Sequence, residues 1–99
     1  HKGMIENQEQ KAWFDKVMTV VNHIEQSRIW KDRIVQIHIE NGGEMVLIAR
    51  EGKERFIFGQ PVNIKDKFDR MEKYYTAIAP QGREYNSVSL KYDGQIVCR

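Results

Sequence analysis

Ile34-Val35-Gln36-Ile37-His38-Ile39-Glu40-Asn41-Gly42-Gly43-Glu44-Met45-Val46-Leu47-Ile48-Ala49 is the stretch that decides the fold. Its first six residues alternate in the way of a strand, which puts Val35, Ile37 and Ile39 on one face. Asn41-Gly42-Gly43 then turns the chain back, because those residue types tolerate positive φ. Met45 to Ala49 reads as a second strand, Arg50-Glu51-Gly52-Lys53 as another turn, and Arg55-Phe56-Ile57-Phe58-Gly59 as a third strand. Turns this short permit only antiparallel pairing, since parallel neighbours need a long crossover. The centre of the chain is therefore an antiparallel meander.

Helical periodicity flanks it on both sides. From Glu6 to about Gln26, Trp13, Val17, Val21 and Ile24 recur at spacings of three and four, with Phe14, Met18 and Val20 widening the stripe. Ser27 to Asp32 breaks the period and reads as a connection. After Pro61, Asn63 is placed to cap a second helix, and Asp66 in its first turn suits the positive end of the helix dipole. Ile64, Phe68, Met71, Tyr75 and Ile78 form that helix's buried stripe, and the pairs Asp66–Arg70 and Asp69–Lys73 support its wet face. Ala79-Pro80-Gln81-Gly82 ends it. Tyr85 to Tyr92 alternates again, with Val88, Leu90 and Tyr92 on the core side and Ser87, Ser89 and Lys91 opposite. Asp93-Gly94 bends the chain before a last short strand, Gln95 to Cys98. The predicted order is α-β-β-β-α-β with that final strand, an α+β domain whose antiparallel sheet packs against amphipathic helices. Nothing in residues 1–99 marks a second domain.

Composition narrows the function classes. A formal net charge of +2 is too small for a nucleic-acid face, and the cations of Lys65-Asp66-Lys67 and Asp69-Arg70-Met71-Glu72-Lys73 are interleaved with acids. No apolar run approaches the ~20 residues that cross a bilayer, and the polar start His1-Lys2-Gly3-Met4 is no signal peptide. The single cysteine, Cys98, excludes a disulfide within the chain and a cysteine-based zinc site.

No set of residues amounts to a catalytic or cofactor site. His1, His23 and His38 form no metal-ligand pair and read as solvated or rim residues. Cys98 stands one residue from the end, where a base and an orienting group are hard to assemble. Ser87 and Ser89 lack a Gly-x-Ser-x-Gly elbow. The Asn41-Gly42-Gly43 turn leads into a strand, not into the helix of a phosphate-binding loop, and Asp66 and Asp69 lie on an exposed helix face. Of Tyr74 and Tyr75, one is needed for the core. We expect no enzyme, no metal and no cofactor.

What remains is the closing strand. A strand that ends both chain and sheet presents unpaired N–H and C=O groups, which a second chain can use by β-augmentation. The alternative is an edge shielded by its own charges.

Several segments resemble the β domain of the FtsQ/DivIB bacterial cell-division family. They are Ile37-His38-Ile39, the hairpin to Val46-Leu47-Ile48, Phe56-Ile57-Phe58-Gly59-Gln60, the helix from Ile64 to Met71, and Val88-Ser89-Leu90-Lys91-Tyr92-Asp93-Gly94-Gln95-Ile96-Val97. Family members close with a Val-Asp-Leu-Arg-Tyr strand, a short turn and a final strand. Here Ser89 replaces the acid, Lys91 the arginine, and Phe58 the leucine before Gly59. Lysine acts as a point charge and not as a planar fork. The resemblance covers roughly residues 12–97. It implies a non-enzymatic divisome scaffold, a fragment of a single-pass membrane protein whose transmembrane helix and POTRA domain lie outside this chain. The implied location is the periplasm or the outer face of the membrane. The implied partners are FtsB/DivIC-type and FtsL-type division proteins, joined along the last strand through Lys91, Tyr92, Asp93, Gln95, Ile96 and Val97. On alternation Tyr92 is partly core, and a proline at Val97 is expected to weaken docking while leaving the fold intact. The competing expectation is a small ligand-binding or inhibitory domain, cystatin-like or PepSY-like, using the space between helix and sheet.

Overall fold

The computed structural model describes residues 2–50, 54–82 and 85–99, with side chains from residue 8 onward; the expected turn through Glu51-Gly52-Lys53 lies outside them. Helix α1 (Lys2–Gln26) leads to strands β1 (Ile34–Ile39), β2 (Met45–Ala49) and β3 (Arg55–Gly59). Helix α2 (Ile64–Lys73) continues through a π-helical turn (Tyr74–Ile78) and a 3-10 turn (Ala79–Gln81), before strands β4 (Ser87–Ser89) and β5 (Val97–Cys98). These strands form one sheet in the order β1-β2-β3-β4-β5.

The meander is as the short turns require: β1–β2 and β2–β3 are antiparallel. At the β1–β2 turn Gly42 and Gly43 take φ values of 81° and 80°. A Cβ at Gly43 would lie 3.0 Å from Trp13 Nε1, because the α1 indole packs over the turn. The sheet is not wholly antiparallel. β4 runs parallel to β3, Phe56 facing Val88, because α2 and its extension carry the chain back across one face before it re-enters. β5 then reverses against β4.

Two departures from periodicity shape the surface. In α1, Val17, Val20 and Ile24 are buried, but Phe14 and Met18 are 55% and 36% exposed. The core-facing stripe is narrower than the apolar one. In β1, only Ile34 is buried; Ile37 and Ile39 share a face as expected, and a bulge between Ile34 and Gln36 interrupts the ladder at Val35, yet all three stand 36–46% exposed, since β1 is an edge with no strand on its outer side. The connection after α1 contributes more than a link. Ser27 Oγ accepts from the Ile29 and Trp30 amides at 3.2 and 3.1 Å, and this local cap turns Trp30 into the core at 3% exposure.

The space between helices and sheet is filled by rings. Phe68 packs against Trp30 and Phe58, at centroid separations of 5.9 and 5.2 Å. Phe56 meets Tyr74 and Tyr75 at 5.7 and 5.6 Å, and the two tyrosine rings meet each other at 5.3 Å. Such contacts add to the burial of each ring and occupy the concavity that a cystatin-like or PepSY-like ligand would need. His23 is a rim residue stacked on Phe68 at 4.4 Å, and His38 is exposed beside Gln36.

Tyr74 is the member of the tyrosine pair that is fully buried, and its hydroxyl donates to Glu54 Oε1 at 3.1 Å. Burial and the adjacent Glu54 carboxylate both disfavour the phenolate, so the proton is held well above the ordinary value near 10. In the unfolded chain Tyr74 ionises at that ordinary value. Native stability is therefore undiminished below pH ~10 and falls as pH rises beyond it. Urea midpoints between pH 9 and 11.5 should fall more steeply for the wild type than for Tyr74→Phe; parallel slopes would contradict this assignment.

Candidate functional site

Arg70 organises the closing segment. In sequence it resembled the partner of Asp66 on a wet helix face; in the fold its side chain is only 8% exposed, while that of Asp66 is 59% exposed. Asp66 Oδ2 accepts from Nε at 3.0 Å and aims the guanidinium inward. Nη1 then donates to the carbonyls of Tyr92, at 2.7 Å, and of Gln95. Nη2 donates to the Leu90 carbonyl at 3.2 Å. One planar, always-charged group thus gathers three backbone acceptors of the segment joining β4 to β5. Gly94, with φ 68°, and the Gln95 amide on Tyr92 O at 3.2 Å complete the bend.

Lys67, one turn earlier, is also buried. Its Nζ donates to the Gln60 carbonyl at 2.8 Å and sits 4.9 Å from the centre of the Phe58 ring. Burial and the neighbouring Arg70 charge lower its pKa, against the pull of Asp93 and Asp66. Asn63 occupies the N-cap position of α2 as expected, but in the left-handed region (φ 53°) with no capping bond from its side chain. Its amide points to Asp93 Oδ1 at 3.5 Å, a weak contact.

The sequence-derived partner residues do not act as one set. Lys91 extends over Gly59 of β3 to pair with Glu44 Oε1 at 2.7 Å, near the start of β2. Strand order places that contact on the side of β4 away from β5. The hydrogen bond and charge of Glu44 raise the pKa of the Lys91 ammonium. Tyr92 is 54% exposed, not partly core. Alternation fails there because β4 stops at Ser89 and Arg70 pulls the following carbonyls into a turn. Asp93 and Gln95 are exposed, and Ile96 packs against the core.

The β5 ladder assigns the free groups. Ser87 and Arg99 exchange both amide bonds, at 2.9 and 3.2 Å. Val88–Cys98 is therefore the non-hydrogen-bonded pair, and Ser89–Val97 is again a bonded one. It follows that the N–H and C=O of Cys98 point to the open edge, while those of Val97 are spent on β4. Ile96 precedes the strand on the same parity as Cys98. Side chains follow the same rule: Cys98 shares the face of fully buried Val88, and Val97 shares that of Ser89. Burial raises the Cys98 thiol pKa, which keeps the thiol protonated and poorly nucleophilic. The predicted partner set, Lys91 to Val97, leaves out Cys98, whose N–H and C=O face the open edge, and Arg70, which shapes the turn. A line of Lys67, Arg70 and Tyr74 at helical spacing beside the apolar stripe was the available signal.

Gly59 holds this corner together. It has φ 78°, and a Cβ there would stand 3.0 Å from Lys91 Cγ. Gly59→Ala should cost ~1–2 kcal/mol from the left-handed conformation alone, and should displace Lys91 from Glu44. Chemical denaturation reads the first effect; an unchanged unfolding midpoint would count against this packing.

Among the described residues, no cluster of histidine, cysteine and acids could hold a metal ion, and no helix is long and apolar enough to cross a membrane. No curated protein and no solved structure matches the chain. A family model does match it, that of FtsQ/DivIB, C-terminal related, over residues 2–99. FtsQ/DivIB is a family of non-enzymatic division scaffolds, membrane-anchored with an extracellular C-terminal domain. With the match spanning both helices and every strand of the sheet, the chain belongs to the FtsQ/DivIB, C-terminal related family.

Proposed function

We propose that this chain is a non-enzymatic, extracytoplasmic docking domain of the divisome, a piece of a single-pass membrane protein. It takes an extended segment of an FtsB/DivIC-type or FtsL-type partner as an additional strand on β5. The observation that carries the proposal is the open edge at Cys98, presented beside a turn that Arg70 holds from within the fold. Main-chain bonds along such an edge supply affinity, and side chains flanking it supply specificity. Preorganisation of the turn matters because ordering a loop on binding would subtract from the affinity.

Tyr92 is the side chain best suited to anchor the partner. It is a large aromatic, half exposed, fixed at its own carbonyl by Arg70 in the turn that leads into β5. Aromatic anchors of this kind carry much of the energy of small interfaces. Calorimetric titration of the chain with the extracytoplasmic segment of the co-encoded FtsB/DivIC-type protein should show one-to-one binding. Tyr92→Ala should weaken it roughly 30-fold, the equivalent of about 2 kcal/mol. Lys91→Ala should change it little, since Lys91 is engaged with Glu44. Absence of binding, or a loss on Lys91→Ala larger than on Tyr92→Ala, would contradict this arrangement.

A further inference from the structure

The connection after α1 and the open end of the β1–β2 hairpin bring three arginines to one hollow, and we propose that they bind the phosphate group of a phosphomonoester. Arg28, Ile29, Asp32, Arg33 and Arg50 line the hollow, whose volume is about 250 Å³. The backbone beneath the arginines is fixed. The Arg50 N–H donates to the Arg33 carbonyl at 2.7 Å, which ties the start of β1 to the end of β2. The Arg33 N–H donates to the Trp30 carbonyl at 3.1 Å, and Trp30 is anchored in the core. Arg28 directly follows Ser27, whose hydroxyl caps the turn.

The charges of these arginines are not spent within the fold. The ion pairs among the described residues are Arg55–Glu40, Arg70–Asp66 and Lys91–Glu44, and none involves Arg28, Arg33 or Arg50. Among the described residues lining the hollow, Asp32 is the one acid against three guanidiniums. In the turn after Arg50, Glu51 and Lys53 offset one another in charge. Arg33 lies over the Tyr75 ring, 4.5 Å from its centre. A guanidinium stacked on a ring keeps its N–H donors at its edge, within reach of a ligand. A concave site lined by one sign of charge concentrates counter-ions.

Charge and size select the ligand class. Three guanidiniums less one carboxylate leave two positive charges, and a phosphomonoester carries about −1.5 to −2 near pH 7. A carboxylate would bring half of that. The planar forks of arginine also match phosphate oxygens in pairs. The hollow is smaller than the ~300–1,000 Å³ of pockets that enclose a whole ligand, so it takes the anionic group and leaves the remainder outside. Ile29, 43% exposed in the same lining, offers that remainder an apolar contact. A phosphatidate headgroup and a soluble phosphomonoester present the same group.

Titration of the 15N-labelled chain with inorganic phosphate, at ionic strength held constant with sodium chloride, tests the site. The arginine Nε–Hε signals of Arg28, Arg33 and Arg50 should shift with saturation on the order of 1 mM. Arg50→Gln and Arg28→Gln should each weaken binding roughly tenfold, as expected for loss of a charged donor. Both residues are exposed, so the fold should tolerate the changes. Arg55→Gln, which removes an arginine already paired with Glu40, should leave the affinity unchanged. Flotation with phosphatidylcholine vesicles, with and without phosphatidate, separates the two sources. Arg50-dependent capture by the phosphatidate vesicles would assign a lipid headgroup, and binding of soluble phosphate without capture would assign a soluble phosphomonoester. Shifts that fail to saturate, unchanged affinity in both Arg28→Gln and Arg50→Gln, or acetate binding as tightly as phosphate would overturn the proposal.

Discussion

Replacing Arg70 by alanine should destabilise the chain by about 3 kcal/mol, lowering Tm by roughly 10–20 °C for a domain of this size. The guanidinium is buried and serves the carbonyls of Leu90, Tyr92 and Gln95. Hydrogen bonds to a charged donor contribute about 1.5–3 kcal/mol each, but the Tyr92 and Gln95 carbonyls can recover water once the turn loosens, so the sum is not additive. Leu90 is fully buried, and its carbonyl regains least. Arg70→Lys should rescue little, because a single ammonium cannot span acceptors distributed over six residues of the turn. Asp66→Ala should cost well under 1 kcal/mol, since Asp66 is exposed and only aims the guanidinium. A loss below 1 kcal/mol for Arg70→Ala, measured by urea denaturation, would remove Arg70 from this role.

Proline substitutions in β5 should divide binding from folding. Pairing parity reverses the expectation drawn from sequence: Val97 belongs to a bonded pair with Ser89, so Val97→Pro should break the β4–β5 ladder and unfold the closing segment. Cys98→Pro removes an N–H that faces solvent, a position where edge strands tolerate proline. It should leave the unfolding midpoint within about 1 kcal/mol of wild type, and weaken partner binding at least tenfold by deleting a main-chain donor and blocking approach to the edge. Equal loss of stability in both variants would show that β5 is not paired in this register. Wild-type affinity in Cys98→Pro would show that its edge is not used.

The meander was legible in the sequence because β-periodicity and the Asn41-Gly42-Gly43 turn agree, and local and long-range preferences then select the same pairing. α2 was legible for a similar reason. The parallel entry of β4 was not, since its three residues carry no local mark of strand direction; that follows from where α2 delivers the chain. Arg70 was hidden because an Asp66–Arg70 spacing reads as a surface pair, and only the arrival of the Leu90–Gln95 carbonyls turns it into a buried clamp. Tyr92 was misplaced by extending an alternation past the point where the strand ends. Trp30 fell in a segment without periodicity, where a serine cap directs it inward. The exposure of Val35, Ile37 and Ile39 depends on β1 being an edge, which strand order decides and residue pattern does not.

Backbone amide shifts in the 15N-labelled chain, followed by NMR during titration with the partner's extracytoplasmic segment, test the docking edge most directly. Cys98 and Ile96 should move most, with Tyr92 and Gly94 following, while Ile37 and Ile39 on the opposite edge stay still. Saturating partner that leaves Cys98 and Ile96 unmoved, or that shifts Ile37 and Ile39 instead, would contradict docking at this edge.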